Sequence, residues 1–104
     1  MTVTTIKMSN SNFQKLSEGK TSTIRRGVKD YRLGYALIIN DATGEKLAAN
    51  IVSISLANIA TLTLKQAQRD GFKNLPDLIQ ELETIYPDIN RLEPITVVSF
   101  SLYK

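Results

Sequence analysis

The 104-residue sequence contains no cysteine and no histidine. These two absences remove whole classes of chemistry. Without cysteine there is no disulfide and no thiolate nucleophile. Without histidine there is no imidazole base, no His-centred triad and no His/Cys zinc site. A metal would have to be a hard cation on Asp and Glu oxygens, and no acidic cluster has the spacing of an EF-hand loop. Neither a metal nor a cofactor is expected. No apolar run approaches the roughly 20 residues that span a bilayer. The start, "MTVTTIKMSN", lacks a cationic region followed by an apolar stretch. No membrane partner is expected, and a cytoplasmic location is the default expectation. Internal repeats, low-complexity tracts and linkers are also missing. Any catalysis must therefore fall to Lys, Arg, Asp, Glu, Ser, Thr or Tyr.

What is present is an ordinary globular composition, 42% hydrophobic and 22% charged, in a length that suits one domain over residues 1–104. The net charge of +3 is unevenly spread: residues 1–46 hold eight Lys/Arg against four Asp/Glu, and residues 47–104 hold five against six. The excess lies at Lys20, Arg25, Arg26, Lys29 and Arg32, with only Asp30 among them. This segment reads equally as a solvated loop and as a surface for an anionic partner.

Periodicity sets out the elements. "TVTTIKM" (Thr2–Met8) is rich in β-branched residues and reads as a strand. "NSNFQKLSEG" (Asn10–Gly19) reads as a short helix ended by Gly19. "TSTIR" resumes an extended run, and "GVKDYRLG" (Gly27–Gly34) is a polar loop. "YALIIN", the turn "DATG" and "KLAANIVSISL" (Lys46–Leu56) form a hairpin. "TLKQAQRDG" (Thr63–Gly71) opens with a capping box, Thr63 with Gln66. In "NLPDLIQELETIY" (Asn74–Tyr86) the residues Leu75, Leu78, Ile79, Leu82, Ile85 and Tyr86 make one apolar helix face. Asn74 caps that helix and Pro87 ends it. "ITVVSFSLY" (Ile95–Tyr103) alternates as a half-buried strand, with Val98, Phe100 and Leu102 on one face. The order β-α-β-β-β-α-α-β predicts an α+β domain built on a small, mostly antiparallel barrel or curled sheet.

The segment "GKTSTIR" (Gly19–Arg25) carries the candidate chemistry. If it is extended, Thr21, Thr23 and Arg25 share one face, and Ile24 points to the core. Lys20 falls out of phase with Thr23, so the two meet only if the chain bends at Gly19–Lys20. With no His or Cys, the available nucleophile is a hydroxyl beside a lysine, the Ser-Lys logic transferred to threonine. The lysine's pKa would be lowered by burial or by a cationic neighbour such as Arg25. The alternative is a strand displaying Thr and Arg to water. Tyr31 and Tyr35 flank the basic loop. They either stack on a base or pack at the rim.

"GKTSTIR" resembles the signature of the ASCH domain family, a PUA-like group of small β-barrels, in which a lysine is followed three on by a threonine and two further by an arginine. Lys20, Thr23 and Arg25 fit that spacing. The family's usual glycine, two before the lysine, is Glu18 here, and Gly19 adjoins Lys20. "YRLGYALII", "AQRDGFKNLPDLIQELETIYP" and "ITVVSFSL" are similar to the family's later strand, helical segment and closing strand, in the same order. The resemblance implies a PUA-like barrel with a cleft for RNA or nucleosides. The shortest bacterial members are similar to N(4)-acetylcytidine amidohydrolases, which remove the acyl group from the exocyclic amine of cytosine. Carried over, their catalytic set is Lys20, Thr23 and Asp70. Arg25, Arg26, Tyr31 and Tyr35 are the candidate substrate-binding residues. The expected partner is a small-molecule nucleoside, or single-stranded RNA. An RNA-binding module and an ASCH-type ribonuclease using the same basic cleft are the alternatives.

Overall fold

A single curled sheet carries the chain, with strand order β1-β3-β4-β5-β2. The computed structural model describes residues 3–103. The strands are β1 (Thr4–Met8), β2 (Ser22–Arg26), β3 (Gly34–Asn40), β4 (Lys46–Ala57) and β5 (Ile95–Leu102). The helices are α1 (Asn10–Gln14), α2 (Leu64–Arg69) and α3 (Leu75–Ile85), joined by two 3-10 turns at Lys15–Glu18 and Ile59–Thr61. The predicted element order is the observed one, with the Ile59–Thr61 turn added. Asn58 caps that turn, accepting from Thr61 N–H at 3.0 Å. The predicted start of the first strand at Thr2 lies outside the described residues.

Strand β1 runs parallel to β3, with Ile6 beside Ile38, while β3–β4, β4–β5 and β5–β2 are antiparallel. The β3–β4 hairpin closes over a left-handed Gly44 (φ 76°). Asn40, fully buried, accepts from the N–H groups of Ala42 and Thr43 and donates to Asn10 Oδ1. The turn is thereby tied to α1.

The sheet has two cores, one on each side. Its concave side holds Ile6, Ile38, Ile51, Val98 and Phe100, with Phe13 and Leu16 of the α1 segment plugging the end. The other side is covered by α2 and α3, where Leu78 and Leu82 pack on Ile24, Ile95 and Val97. The predicted capping box of α2 is present: Thr63 accepts from Gln66 N–H, and Gln66 accepts from Thr63 N–H. Asn74 caps α3. Strand β5 departs from the half-buried reading in its first half. Ile95 to Val98 are all buried, because helices cover the face that the sequence assigns to water. This is a small α+β fold, a curled half-barrel with short flanking helices. Among the described residues, no helix is long and apolar enough to cross a membrane.

Candidate active site

The site is built where the chain enters β2 against the C-terminal end of α2. Gly19 ends the first 3-10 turn with φ 102°, a conformation a side chain resists. Past this bend, Lys20 N–H donates to Lys15 O at 3.1 Å and Thr21 N–H donates to Arg69 O at 2.8 Å. The segment before β2 is thus stitched to α2 ahead of regular strand pairing. Strand alternation therefore does not govern where Lys20 points, and its side chain turns to Asp70.

Asp70 is the C-terminal cap of α2, and Gly71 turns the chain away with φ 89°. A carboxylate here opposes the helix dipole. Lys20 answers it: Nζ donates to Asp70 O at 2.9 Å and contacts the carboxylate Oδ1 directly. Lys20 is 2% exposed and Asp70 5%. Burial pulls Lys20 down from its ordinary 10.5 to about 7; repulsion from Lys15 and Arg25 adds to this, and Glu81 opposes it. Contact with a carboxylate favours the ammonium, so both forms of Lys20 are accessible near neutral pH.

Within β2 the side chains divide as alternation requires. Ile24 enters the helix-side core, and Thr23, paired with Val98, is 3% exposed. Arg25 Nη1 donates to Thr23 Oγ1 at 2.9 Å and to Ile24 O at 3.2 Å, and Nη2 donates to Lys7 O at 2.5 Å. One guanidinium therefore holds the Thr23 hydroxyl and joins the two edge strands of the open sheet, β2 and β1.

Thr23, Arg25 and Asp70 line a chamber of about 20 Å³, together with Asn12 and Glu81. That is room for one water-sized group. The chamber adjoins a groove of about 270 Å³ between the β1–α1 connection and the end of α3, lined by Lys7, Met8, Asn12, Arg25, Ile85 and Tyr86. Asn12, Ile24, Arg25 and Ile85 belong to both.

Of the predicted residues, Lys20 and Asp70 meet directly, and Thr23, Arg25 and Asp70 share one chamber. Three others lie elsewhere. Arg26 turns to the opposite side of β2, where Asp88 at 2.8 Å and Glu93 at 2.8 Å neutralise it. Tyr31 packs against the concave-side core. Tyr35 is 52% exposed, because its neighbours Ala36 and Ile38 face inward; its ring lies 6.0 Å from that of Tyr103. Neither tyrosine lines the chamber or the groove. The aromatic at the groove is Tyr86, which the sequence places on the apolar face of α3. Asn12 and Glu81 go unremarked in the sequence. The one available signal is position: Asn12 precedes the core residue Phe13, and Glu81 borders the apolar stripe of α3. The basic segment also dissolves on folding. Lys20, Arg25 and Arg26 are engaged internally, and only Lys29 and Arg32 of the five remain exposed.

No protein-family model matches the sequence, and no curated protein does. Solved structures do match its fold. One is the ASCH domain from Lactobacillus crispatus, at TM-score 0.78 and 11% identity over 95% of this chain and 79% of that one. Another is an Enterococcus faecalis protein of the DUF984 family, at TM-score 0.71 and 15% identity over 98% of this chain and 81% of that one. At such low identity the likeness concerns architecture, and what it establishes is that this chain has the fold of an ASCH domain.

Proposed function

We propose that the protein is an amidohydrolase that removes the acyl group from the exocyclic amine of N(4)-acetylcytidine or related N(4)-acylcytosines. The observation that carries the chemistry is the buried Lys20–Asp70 pair, whose Asp70 lines a chamber together with Thr23. The substrate class comes from the resemblance of "GKTSTIR" and the later segments to the short ASCH amidohydrolases.

Amide cleavage needs a nucleophile, a base and a place for the oxyanion. Thr23 Oγ attacks the acyl carbonyl carbon, and the neutral Lys20 amine takes the hydroxyl proton. The resulting oxyanion lies beside the Arg25 guanidinium, already bonded to Thr23 Oγ1. As the C–N(4) bond breaks, the Lys20 ammonium returns its proton to N(4), releasing cytidine. Water, deprotonated by Lys20, then attacks the acyl-threonine ester; as the C–Oγ bond breaks, the Lys20 ammonium returns its proton to Thr23 Oγ and the carboxylic acid leaves. Asp70 orients Lys20 through the two contacts it makes. The groove of about 270 Å³ lies just below the usual range for ligand pockets, about 300–1,000 Å³, and suits a base-sized ligand. Tyr86 offers it an aromatic neighbour there.

The internal pairing of Lys20, Arg25 and Arg26 weighs against the RNA-binding and ribonuclease readings. Cations engaged within the fold are not free to displace phosphate counterions. Purified protein mixed with N(4)-acetylcytidine should move the ultraviolet band to that of cytidine. Lys20→Ala and Thr23→Ala should each abolish the change. Wild-type protein that leaves the band unmoved, while binding single-stranded RNA in a salt-sensitive way, would sink the proposal.

A further inference from the structure

We propose that Asn12 is a specificity-determining residue of this site, whose side-chain carbonyl accepts a hydrogen bond from the exocyclic N–H of the substrate. The inference rests on the amidohydrolase reading.

Asn12 Oδ1 is buried and has no hydrogen-bond partner among the described residues. Buried polar atoms are rarely left bare, because an unmet acceptor costs stability, so this one has an acceptor site free for a donor that enters the chamber. Its position fits one. Asn12 lines both the chamber with Thr23 and Asp70 and the groove with Tyr86, and so stands at their junction. It is held there from both sides in sequence. Its backbone N–H donates to the Ser9 hydroxyl at 3.4 Å, and the next residue, Phe13, is buried in the concave-side core.

A base in the groove with its acyl carbonyl at Thr23 brings the atom between them, the exocyclic nitrogen, to this junction. In an N(4)-acylcytidine, where N1 bears the ribose, that nitrogen carries the only N–H of the base. The unused hydrogen-bonding capacity nearby is of the matching kind. Glu81, in the same chamber, has no hydrogen-bond or ion-pair partner among the described residues. The Arg25 donors are already directed at Thr23 Oγ1, Ile24 O and Lys7 O. Carboxylate and carboxamide oxygens are the groups that accept from cytosine N(4). A substrate without that N–H makes no such bond with Asn12 Oδ1.

The test compares hydrolysis of N(4)-acetylcytidine with that of N(4)-acetyl-N(4)-methylcytidine, which lacks the N–H. It uses wild type, Asn12→Leu and Asn12→Asp. Asn12→Leu should lower kcat/KM for N(4)-acetylcytidine by about tenfold or more relative to its effect on the methylated analogue. Asn12→Asp, which keeps an acceptor, should retain the preference. If the analogue is not turned over, the inhibition constants of cytidine and N(4),N(4)-dimethylcytidine supply the same ratio. Should Asn12→Leu fail to fold, Asn12→Ser is read by that ratio as well. An equal loss on both compounds, or a preference that survives Asn12→Leu, overturns the role of Asn12 and leaves the activity standing. Wild-type protein inert toward both compounds overturns the amidohydrolase reading, and this role with it.

Discussion

Lys20 and Asp70, 50 positions apart, meet twice: Lys20 Nζ donates to the Asp70 backbone carbonyl at 2.9 Å and contacts its carboxylate. The double contact closes the C-terminal end of α2 onto the start of β2. It satisfies a carbonyl that a helix end leaves open and places a titratable amine in a nearly dry site.

On the proposed mechanism, the pH dependence of turnover follows from the amine. Lys20 acts as a base only when neutral, and its pKa is lowered to about 7 by burial. kcat/KM should therefore rise with pH through about 7 and level off above it. Initial rates across this range measure the profile. In Lys20→Arg the guanidinium stays charged, so activity should be absent throughout. A wild-type profile that falls across the same range would remove Lys20 as the base.

The same pair shapes stability. The unfolded chain holds the Lys20 proton up to about 10.5, and the folded chain releases it near 7. Between those values the unfolded state binds more protons, so stability should increase with pH across that window; below it both states are protonated and the cost of burying the charge is constant. Urea unfolding at several pH values reads this slope. The double variant Lys20→Met/Asp70→Asn should lose it. Lys20→Met alone leaves a buried carboxylate unpaired and should cost about 3–5 kcal/mol, much of it recovered in the double variant. A double variant no more stable than the single one would mean that the contact is not the source of the cost.

Two adjacent arginines should behave differently. Arg25→Ala removes the bonds to Thr23 Oγ1 and Lys7 O, and with them the tie between the edge strands. A loss of about 1–3 kcal/mol is expected, together with most of the activity. Arg26→Ala breaks pairs with Asp88 and Glu93 on the other side of β2 and should leave turnover intact. Thermal melts and steady-state rates on the two variants decide it. Comparable loss of turnover in both would place the site on the wrong face of the strand.

Much of the architecture is legible along the chain because its signals are local. Pro76, the Asn74 cap and apolar spacing mark α3, and Thr63 with Gln66 marks the start of α2. The parallel pairing of β1 with β3 carries no such signal, since it joins strands separated by α1, a turn and β2. In the site, Lys20, Thr23 and Arg25 stand out because they are close in sequence and the usual catalytic residues are missing. Tyr31 and Tyr35 stood out on the same grounds, yet the register of β3 sends Tyr35 to the outer face, and Tyr31 is taken up by the core. Asn12 and Glu81 belong to two helices with no sequence relation and meet only across the chamber.

Residue type and short-range pattern alone establish that any catalysis here would have to use lysine, arginine, hydroxyl or carboxylate groups, and that the elements follow in this order. Both depend on composition and on neighbours a few residues apart. Folding decides which charges stay free. It buries Lys20 against Asp70, spends Arg25 on the sheet edges and pairs Arg26 with acids from beyond α3. The reason is desolvation. The cost of removing a charge from water, and the partner that offsets it, exist only once distant segments have packed together.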